Sequence, residues 1–316
     1  MNEPLVACII TNYNGYITKY KDRPILYHTI SSLKNTKYLN YKTIVVDDNS
    51  KDNSIEYIKK NWDFVDIVSN KKNLGFSRSN NEGIKYANKK YKPKYFLLLN
   101  NDLIFEDQMW LENLIKVAEK DNRLGIESCK FINADNLIQH TGSFEVLTNK
   151  NRGRGEKNNK NKYNKIEEVR WVAAAVMLIK KEVINKIGLL EENFKFMEYE
   201  DVDFYIRAKN KGYSVIYNGE VAIKHLEGFS STNSPSKEAK LNRIKYGSEN
   251  FVYFIKKNWK YLSLYEKIYG IFIFYIIGSI FTIEGSKGNR GIKYLRLKDN
   301  AFIRFKYIFK SIITNL

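Results

Sequence analysis

An open, doubly wound α/β sheet flanked by helices is the architecture this sequence predicts. Three features predict it: short apolar runs that end in polar turns, helical segments between those runs, and a strand-helix alternation sustained over the first hundred residues. The 316 residues, 43% of them hydrophobic, suffice for a full α/β core and a smaller appendage.

The elements follow in order. Leu5 to Thr11 is apolar and ends in Asn12-Tyr13-Asn14-Gly15, and Thr43 to Val46 ends in Asp47-Asp48-Asn49-Ser50. Each reads as a buried parallel strand whose C-terminal end meets a functional loop. Ile25 to Leu33 and Ser54 to Lys60 are expected as helices, and Val65 to Val68 as a strand. Ser77 to Asn88 continues the alternation as a helix, Tyr95 to Leu99 as a strand, and Asp107 to Lys120 as an amphipathic helix. In such sheets ligands gather at the C-terminal strand ends.

Asn149 to Lys165 is almost wholly Asn, Lys, Gly, Arg and Glu and is expected to be a mobile, solvated loop. Beyond it Trp171 to Ile179 is strand-like, Lys181 to Ile187 and Glu200 to Lys211 are helical, and Ser214 to Tyr217 is a last strand that His225 follows. The acidic start of the helix at Glu200 suits the positive end of its dipole. Past Ser230 the chain turns basic and aromatic. Tyr269 to Ile283 is apolar but shorter than the roughly 20 residues of a membrane span. It is expected as a buried or interfacial helix, and Tyr294 to Ile313 as a basic amphipathic helix for an anionic membrane surface. These helices are equally suited to cover the sheet or to pack against a second copy of the chain.

Lys and Arg number 53 against 35 Asp and Glu, a formal net charge of +18 that favours anionic partners. Part of that excess accompanies the abundant Asn, Ile and Tyr that AT-rich coding DNA produces. Nucleic acid is set aside, because no helix-turn-helix, zinc or RNA-binding signature accompanies the charge. Cys8 and Cys129 stand far apart in apolar settings, so neither a disulfide framework nor a zinc cluster is signalled. No signal-peptide pattern occurs at the N-terminus, and the expectation is a cytoplasmic protein, peripheral on the cytoplasmic face of a membrane.

Three polar clusters end strands or open a helix: Asp47-Asp48, Asn100-Asn101-Asp102, and Glu200-Asp201-Val202-Asp203. A single histidine, His225, follows the last strand. Sugar transfer from a nucleotide diphosphate needs a cation for the leaving diphosphate and a base for the acceptor hydroxyl, and this set supplies both. Asp102 and His225 are the natural ligands for Mn2+ or Mg2+. Asp203 and Arg207, four residues apart on a helix, are expected to form a structural ion pair. A dehydrogenase is disfavoured, because no Gly-x-Gly-x-x-Gly follows the first strand.

Five ordered motifs resemble glycosyltransferase family 2, in its rhamnosyltransferase-like branch. They are Ala7 to Gly15, Ile44 to Ser50, Asn73-Leu74-Gly75-Phe76-Ser77-Arg78-Ser79-Asn80-Asn81-Glu82-Gly83, Leu97 to Asp102, and Tyr199 to Arg207, closed by His225-Leu226-Glu227-Gly228-Phe229-Ser230. The likeness runs from about Leu5 to Ser230. It implies a GT-A type, mostly parallel sheet with a C-terminal helical extension. It also implies a nucleotide-binding half over about 1–105, an acceptor half over 106–232, and a basic, aromatic helical region over 233–316. Carried onto these positions, Thr11, Tyr13, Asp48, Asn73, Arg78, Asn80 and Asn100 would contact the nucleotide, and Asp102 and His225 the metal. Asp201 would be the catalytic base, with Glu200 beside it on donor or acceptor hydroxyls. The implied activity is an inverting, metal-dependent transfer of a hexose from a UDP- or dTDP-sugar to a polysaccharide or lipid-linked acceptor in cell-surface glycan synthesis. Asn100 in place of the first acid of Asp-x-Asp, Ala173-Ala174-Ala175 where a glycine is common, and Glu249 where some relatives carry Arg depart from the family pattern. Those departures keep a catalytically inactive nucleotide-sugar-binding relative as the alternative.

Overall fold

The N-terminal strands are apolar runs buried on both faces, and they form the centre of the first unit. In the computed structural model the described residues are 3–146, 152–158, 160–226, 237–268, 281–285, 293–297, 306–308 and 310. The strands are β1 (Val6–Asn12), β2 (Lys19–Tyr20), β3 (Arg23–Pro24), β4 (Tyr41–Asp47), β5 (Val65–Ser69), β6 (Tyr95–Asn100) and β7 (Leu103–Ile104), then β8 (Leu124–Ile132), β9 (Ile138–His140), β10 (Ile166–Glu168), β11 (Val176–Lys180) and β12 (Ser214–His225), and finally β13 (Phe281–Gly285) and β14 (Lys293–Leu297). The helices are α1 (Ile25–Lys34), α2 (Ser54–Asn61), α3 (Phe76–Lys90), α4 (Trp110–Lys120), α5 (Lys160–Tyr163), α6 (Lys181–Ile187), α7 (Glu200–Lys209) and α8 (Lys237–Asn258).

Two compact units emerge: one of Met1–Phe144, Asn151–Glu192 and Glu200–Ser234, the other of Glu145–Lys150, Asn193–Tyr199 and Pro235–Leu316. The first holds a mixed sheet in the order β10-β12-β8-β11-β6-β1-β4-β5, with β7 on β12 and β9 on β8. Strands β6, β1, β4 and β5 run parallel, β12 runs parallel to β8, and β11 runs antiparallel between β6 and β8. This is the expected α/β class, with its N-terminal strands parallel. Val6 to Ile10 and Leu97 to Leu98 are fully buried. On α4, Trp110, Leu111, Leu114, Ile115 and Ala118 form the buried stripe of an amphipathic helix. Helix α3 lies so close to the sheet that a Cβ at Gly83 would stand 2.4 Å from Ile9 Cγ2 and 2.9 Å from Val46 Cγ2. Both cysteines are buried and free.

Several expectations need correction. The last strand of this unit is not Ser214 to Tyr217 alone. It continues across a register shift between Asn218 and Ala222 to His225, which is its final residue. Within the expected solvated loop, Lys160–Tyr163 forms the short helix α5, and 152–158 is stitched to strand β9, with Ile138 N donating to Glu156 O at 2.8 Å and Gly155 N donating to Ile138 O at 2.8 Å. An edge strand's unpaired backbone groups need such partners. Strand β11 begins at Val176, and Trp171 contributes only an isolated bridge to Ser143.

In the second unit α8 runs for 22 residues and closes with the 3-10 turn Trp259–Tyr261. Of the expected apolar helix at Tyr269 to Ile283, 269–280 lie outside the described residues and 281–283 are strand. Of the expected helix at Tyr294 to Ile313, 294–297 are strand, 306–308 and 310 are helical, and the rest lies outside. Strands β13 and β14 pair antiparallel, Phe281 opposite Leu297 through Gly285 opposite Lys293. A short apolar run fits strand or helix equally, and pairing with a distant segment decides it. No helix among the described residues is long and apolar enough to cross a membrane.

Candidate active site

The parallel register lines up the polar strand ends. Thr11 stands opposite Val46 on one side and Asn100 on the other, and Asn12 opposite Asp47. Asn12 Nδ2 donates to Asp47 Oδ1 at 3.0 Å and to Ser50 Oγ at 3.3 Å, while Asn101 Nδ2 donates to Asn12 Oδ1 at 2.8 Å. Ser50 N and Oγ donate to Asp47, at 3.0 and 2.6 Å. Asn12 is 1% exposed, Asp47 1% and Asn101 7%, so buried side-chain bonds join three strand ends into one floor. A Cβ at Gly15 would sit 2.3 Å from Asn12 Oδ1 and 2.9 Å from Asn101 Nδ2, so the first loop closes over this floor only with glycine there. Asn12, Asn101 and Gly15 lie inside the quoted motifs, but their spacing carries no sign of this network.

Asp48 orders the turn before α3. Its Oδ1 accepts from Leu74 N at 2.7 Å and from Asn70 Nδ2 at 3.0 Å, and its Oδ2 accepts from Gly75 N at 2.9 Å. Of the remaining residues expected around a nucleotide, Tyr13, Asn73 and Arg78 are exposed and Thr11 and Asn100 are half-buried. Arg78 faces Glu192 at 3.8 Å. Asn80 is a correction: it is fully buried, Nδ2 donates to Phe76 O at 3.0 Å, and it offers no surface to a ligand. Its neighbour Asn81 instead joins α3 to the 190–192 segment, donating to Leu190 O and Glu192 Oε1 at 2.9 Å each and accepting from Leu190 N at 3.0 Å.

Asp102 and His225, far apart in sequence, come together where β7 pairs with the end of β12. His225 stands opposite Leu103, and Leu226 N donates to Asp102 O at 2.9 Å. Nε2 of His225 lies 3.3 Å from Asp102 Oδ1, and Asp102 is only 3% exposed. Gln139, on β9, fixes the imidazole from behind. Its Nε2 donates to His225 O at 2.8 Å, which leaves its Oε1 to accept from His225 Nδ1 at 3.1 Å. With the proton of the neutral ring on Nδ1, the Nε2 lone pair faces the Asp102 carboxylate. The donor set of one carboxylate and one imidazole fits Mn2+ or Mg2+. Among the described residues no group of three or more His, Cys, Asp or Glu is arranged to hold a metal.

Helix α7 opens with Glu200 and Asp201, the former 5% exposed and the latter half-buried, and Asp201 Oδ1 accepts from Val202 N at 2.8 Å. Asp203 is fully buried and receives Arg207 Nε at 2.8 Å, the ion pair that the spacing predicts. The same guanidinium donates to Ile187 O and Leu189 O, at 2.8 and 2.9 Å, and so anchors the segment after α6. Of the closing motif, Glu227 to Ser230 lie outside the described residues.

The profile described as "Glycosyl transferase family 2" matches residues 8–187. An O-antigen biosynthesis protein of Myxococcus xanthus, RfbC, is 26% identical over 226 residues, 68% of this chain and 17% of that protein. An uncharacterized glycosyltransferase of Haemophilus influenzae is 34% identical over 126 residues, 39% of this chain and 35% of that protein. The chain thus spans between 17% and 35% of the length of these two relatives. Among solved structures, the mannosyltransferase PcManGT of Pyrobaculum calidifontis in complex with GDP-Man and Mn2+ superposes with a TM-score of 0.56 at 14% identity. That match covers 81% of this chain and 65% of that one. At such identity the likeness establishes the fold, which is of the GT-A type.

Proposed function

Because this chain belongs to glycosyl transferase family 2, we propose that it is an inverting, divalent-metal-dependent hexosyltransferase. It takes a sugar from a UDP- or dTDP-sugar and passes it to a polysaccharide or lipid-linked saccharide in cell-surface glycan synthesis. It works at the cytoplasmic face of a membrane in peripheral contact with anionic lipid. The observation that carries the reading is the pair of buried Asp102 and half-buried His225, 3.3 Å apart beside the Asn12–Asp47–Asn101 floor. The O-antigen role in the name of the Myxococcus relative supports the glycan context, and the Mn2+ of the Pyrobaculum complex supports a cation.

In this reading residues 1–105 receive the nucleotide, 106–232 the acceptor, and 233–316 serve attachment. Thr11, Tyr13, Asn73, Arg78 and Asn100 contact the nucleotide. Asp48 fixes the turn at Leu74-Gly75 and turns its remaining lone pair to the base edge, while Asn80 supports α3 from inside. Asp102 and His225 hold Mn2+ or Mg2+, which when bound neutralises charge on the departing diphosphate. Asp201 takes the proton of the acceptor hydroxyl, whose oxygen attacks the anomeric carbon opposite the diphosphate. One carbon–oxygen bond forms as the other breaks, the nucleoside diphosphate leaves, and the configuration inverts. Glu200 contacts donor or acceptor hydroxyls.

Nuclear magnetic resonance of the first-formed product tests this mechanism. The expected product has the opposite anomeric configuration to the donor, and Asp201→Asn binds donor without transferring it. A retained configuration, or an Asp201→Asn enzyme that transfers at the native rate, would overturn it.

A further inference from the structure

Just past α8 the second unit gathers exposed rings, aliphatic side chains and lysines on one short stretch. Trp259 is 49% exposed, Tyr261 36%, Leu264 72%, Tyr265 50% and Ile268 60%, and among the described residues no other run of ten exposes as many large apolar side chains. Exposed Lys256 and Lys260 and half-buried Lys257 and Lys267 stand among them. A scattered exposed leucine needs no explanation, but such a concentration marks an interaction surface.

The stretch has a defined shape. Leu262 is buried, and Ser263 starts the next helical turn as a capping box. Ser263 N donates to Glu266 Oε2 at 2.9 Å and Glu266 N donates to Ser263 Oγ at 3.2 Å. Lys267 Nζ lies 4.9 Å from the centre of the Trp259 ring, so the turn brings residues on either side of Ser263 together. Leu264 and Ile268, four residues apart on that turn, share a face. Glu266 is the sole acid between 250 and 268, and it is 2% exposed, with Oε1 accepting from Val146 N at 3.0 Å. The stretch therefore presents apolar and cationic groups while its negative charge is turned inward.

From these features we infer that residues 256–268 are the docking surface for an anionic phospholipid bilayer. Tryptophan and tyrosine suit the headgroup boundary, Leu264 and Ile268 enter the acyl region, and the lysines meet lipid phosphates. A second copy of the chain fits worse, because it would set lysine against lysine across the contact. The inference deepens the membrane-contact part of the proposed function, and it assigns that contact to a segment other than Tyr294 to Ile313.

Flotation of the full chain with phosphatidylcholine vesicles, with and without phosphatidylglycerol, tests it. Binding is expected to require phosphatidylglycerol. Leu264→Ser with Ile268→Ser should weaken it by about tenfold or more, and Lys256→Gln with Lys260→Gln by a similar factor of about ten. Both double variants should bind nucleotide sugar as the native chain does, which reports that they are folded. Vesicle binding that is absent, or indifferent to both double variants, overturns the inference. So does a dimer in solution that Leu264→Ser with Ile268→Ser dissolves, since the occupant is then a second copy. Donor binding on the same preparations separates this failure from that of the transferase reading: donor bound without vesicles sinks only the docking surface, and vesicles bound without donor sink only the transferase.

Discussion

Gln139 grips His225 by two bonds of opposite sense, donating from Nε2 to the backbone carbonyl and accepting at Oε1 from the ring Nδ1. The first bond dictates which amide atom faces the imidazole, and the second dictates which ring nitrogen is left for Asp102. Partners of this kind behind a metal-binding histidine typically govern affinity by about tenfold to a hundredfold. Gln139→Ala is therefore expected to weaken Mn2+ binding in the presence of nucleoside diphosphate by a factor in that range. Gln139→Glu, which keeps the acceptor, should retain more of it. Titration of Mn2+ followed by paramagnetic resonance of the free ion reads this directly, and equal affinity in all three proteins would refute the role.

Asn250 holds the segment that runs into Glu200. Its Oδ1 accepts from Lys195 N at 2.8 Å, and its Nδ2 donates to Lys195 O and Met197 O at 2.9 Å each and to Glu198 O at 3.3 Å. Phe196, Glu198 and Tyr199 all have positive φ, at 60°, 90° and 74°, conformations that persist only when surrounding bonds impose them. Aromatic contacts add to the hold, Phe196 on Tyr246 at 4.7 Å and Tyr199 on Phe254 at 5.2 Å between ring centres. Asn250→Ala should release the segment at a cost of about 1–3 kcal/mol. It should lower kcat while leaving the donor dissociation constant unchanged. Steady-state kinetics beside donor titration checks this, and a variant with native kcat would show that Asp201 does not depend on the segment.

His140 gives the fold an acid-sensitive element. It is buried, its Nδ1 accepts from Gly142 N at 2.9 Å, and its ring lies 4.7 Å from that of Trp171. Burial, assisted by the positive charges of Arg154 and Arg152, pulls its pKa down to about 3. Unfolded, the same ring takes up a proton below about 6.5. Between those values the unfolded chain binds the extra proton, so the contribution is present in full above 6.5 and is lost as pH falls, by at most about 1.4 kcal/mol per pH unit. His140→Phe keeps a ring against Trp171 and removes the titration. Urea denaturation from pH 7 to pH 4 should show a shallower loss of stability in the variant, and parallel curves would contradict this account.

The polar strand ends were legible in the sequence because each follows an apolar run, as Asp48 follows Ile44 to Val46 and Asp102 follows Tyr95 to Leu99. The ion pair of Asp203 with Arg207 was legible because it is local, one helical turn apart. Strand β8 was not. It is buried throughout yet contains Glu127 and Lys130, which interrupt the apolar pattern and survive burial through partners far away in sequence. Asn218 Nδ2 donates to Glu127 Oε1 at 2.8 Å, Lys130 Nζ donates to Asn164, and burial pushes the Glu127 carboxyl well above the usual carboxylate range. The length of β12 was hidden by Asn218-Gly219-Glu220, which reads as a turn but lies at a register shift within one strand. Gln139 was invisible for a different reason: nothing local distinguishes a glutamine that orients a histidine from one in solvent.

Calorimetric titration of UDP- and dTDP-sugars into the native chain and into Asp102→Ala, each with Mn2+ and with chelator, tests the central claim most directly. The account predicts that one donor binds the native chain only with Mn2+ and that Asp102→Ala loses this dependence together with most of the affinity. Metal-independent binding of equal strength in both proteins, or no nucleotide sugar bound by the native chain, would contradict it.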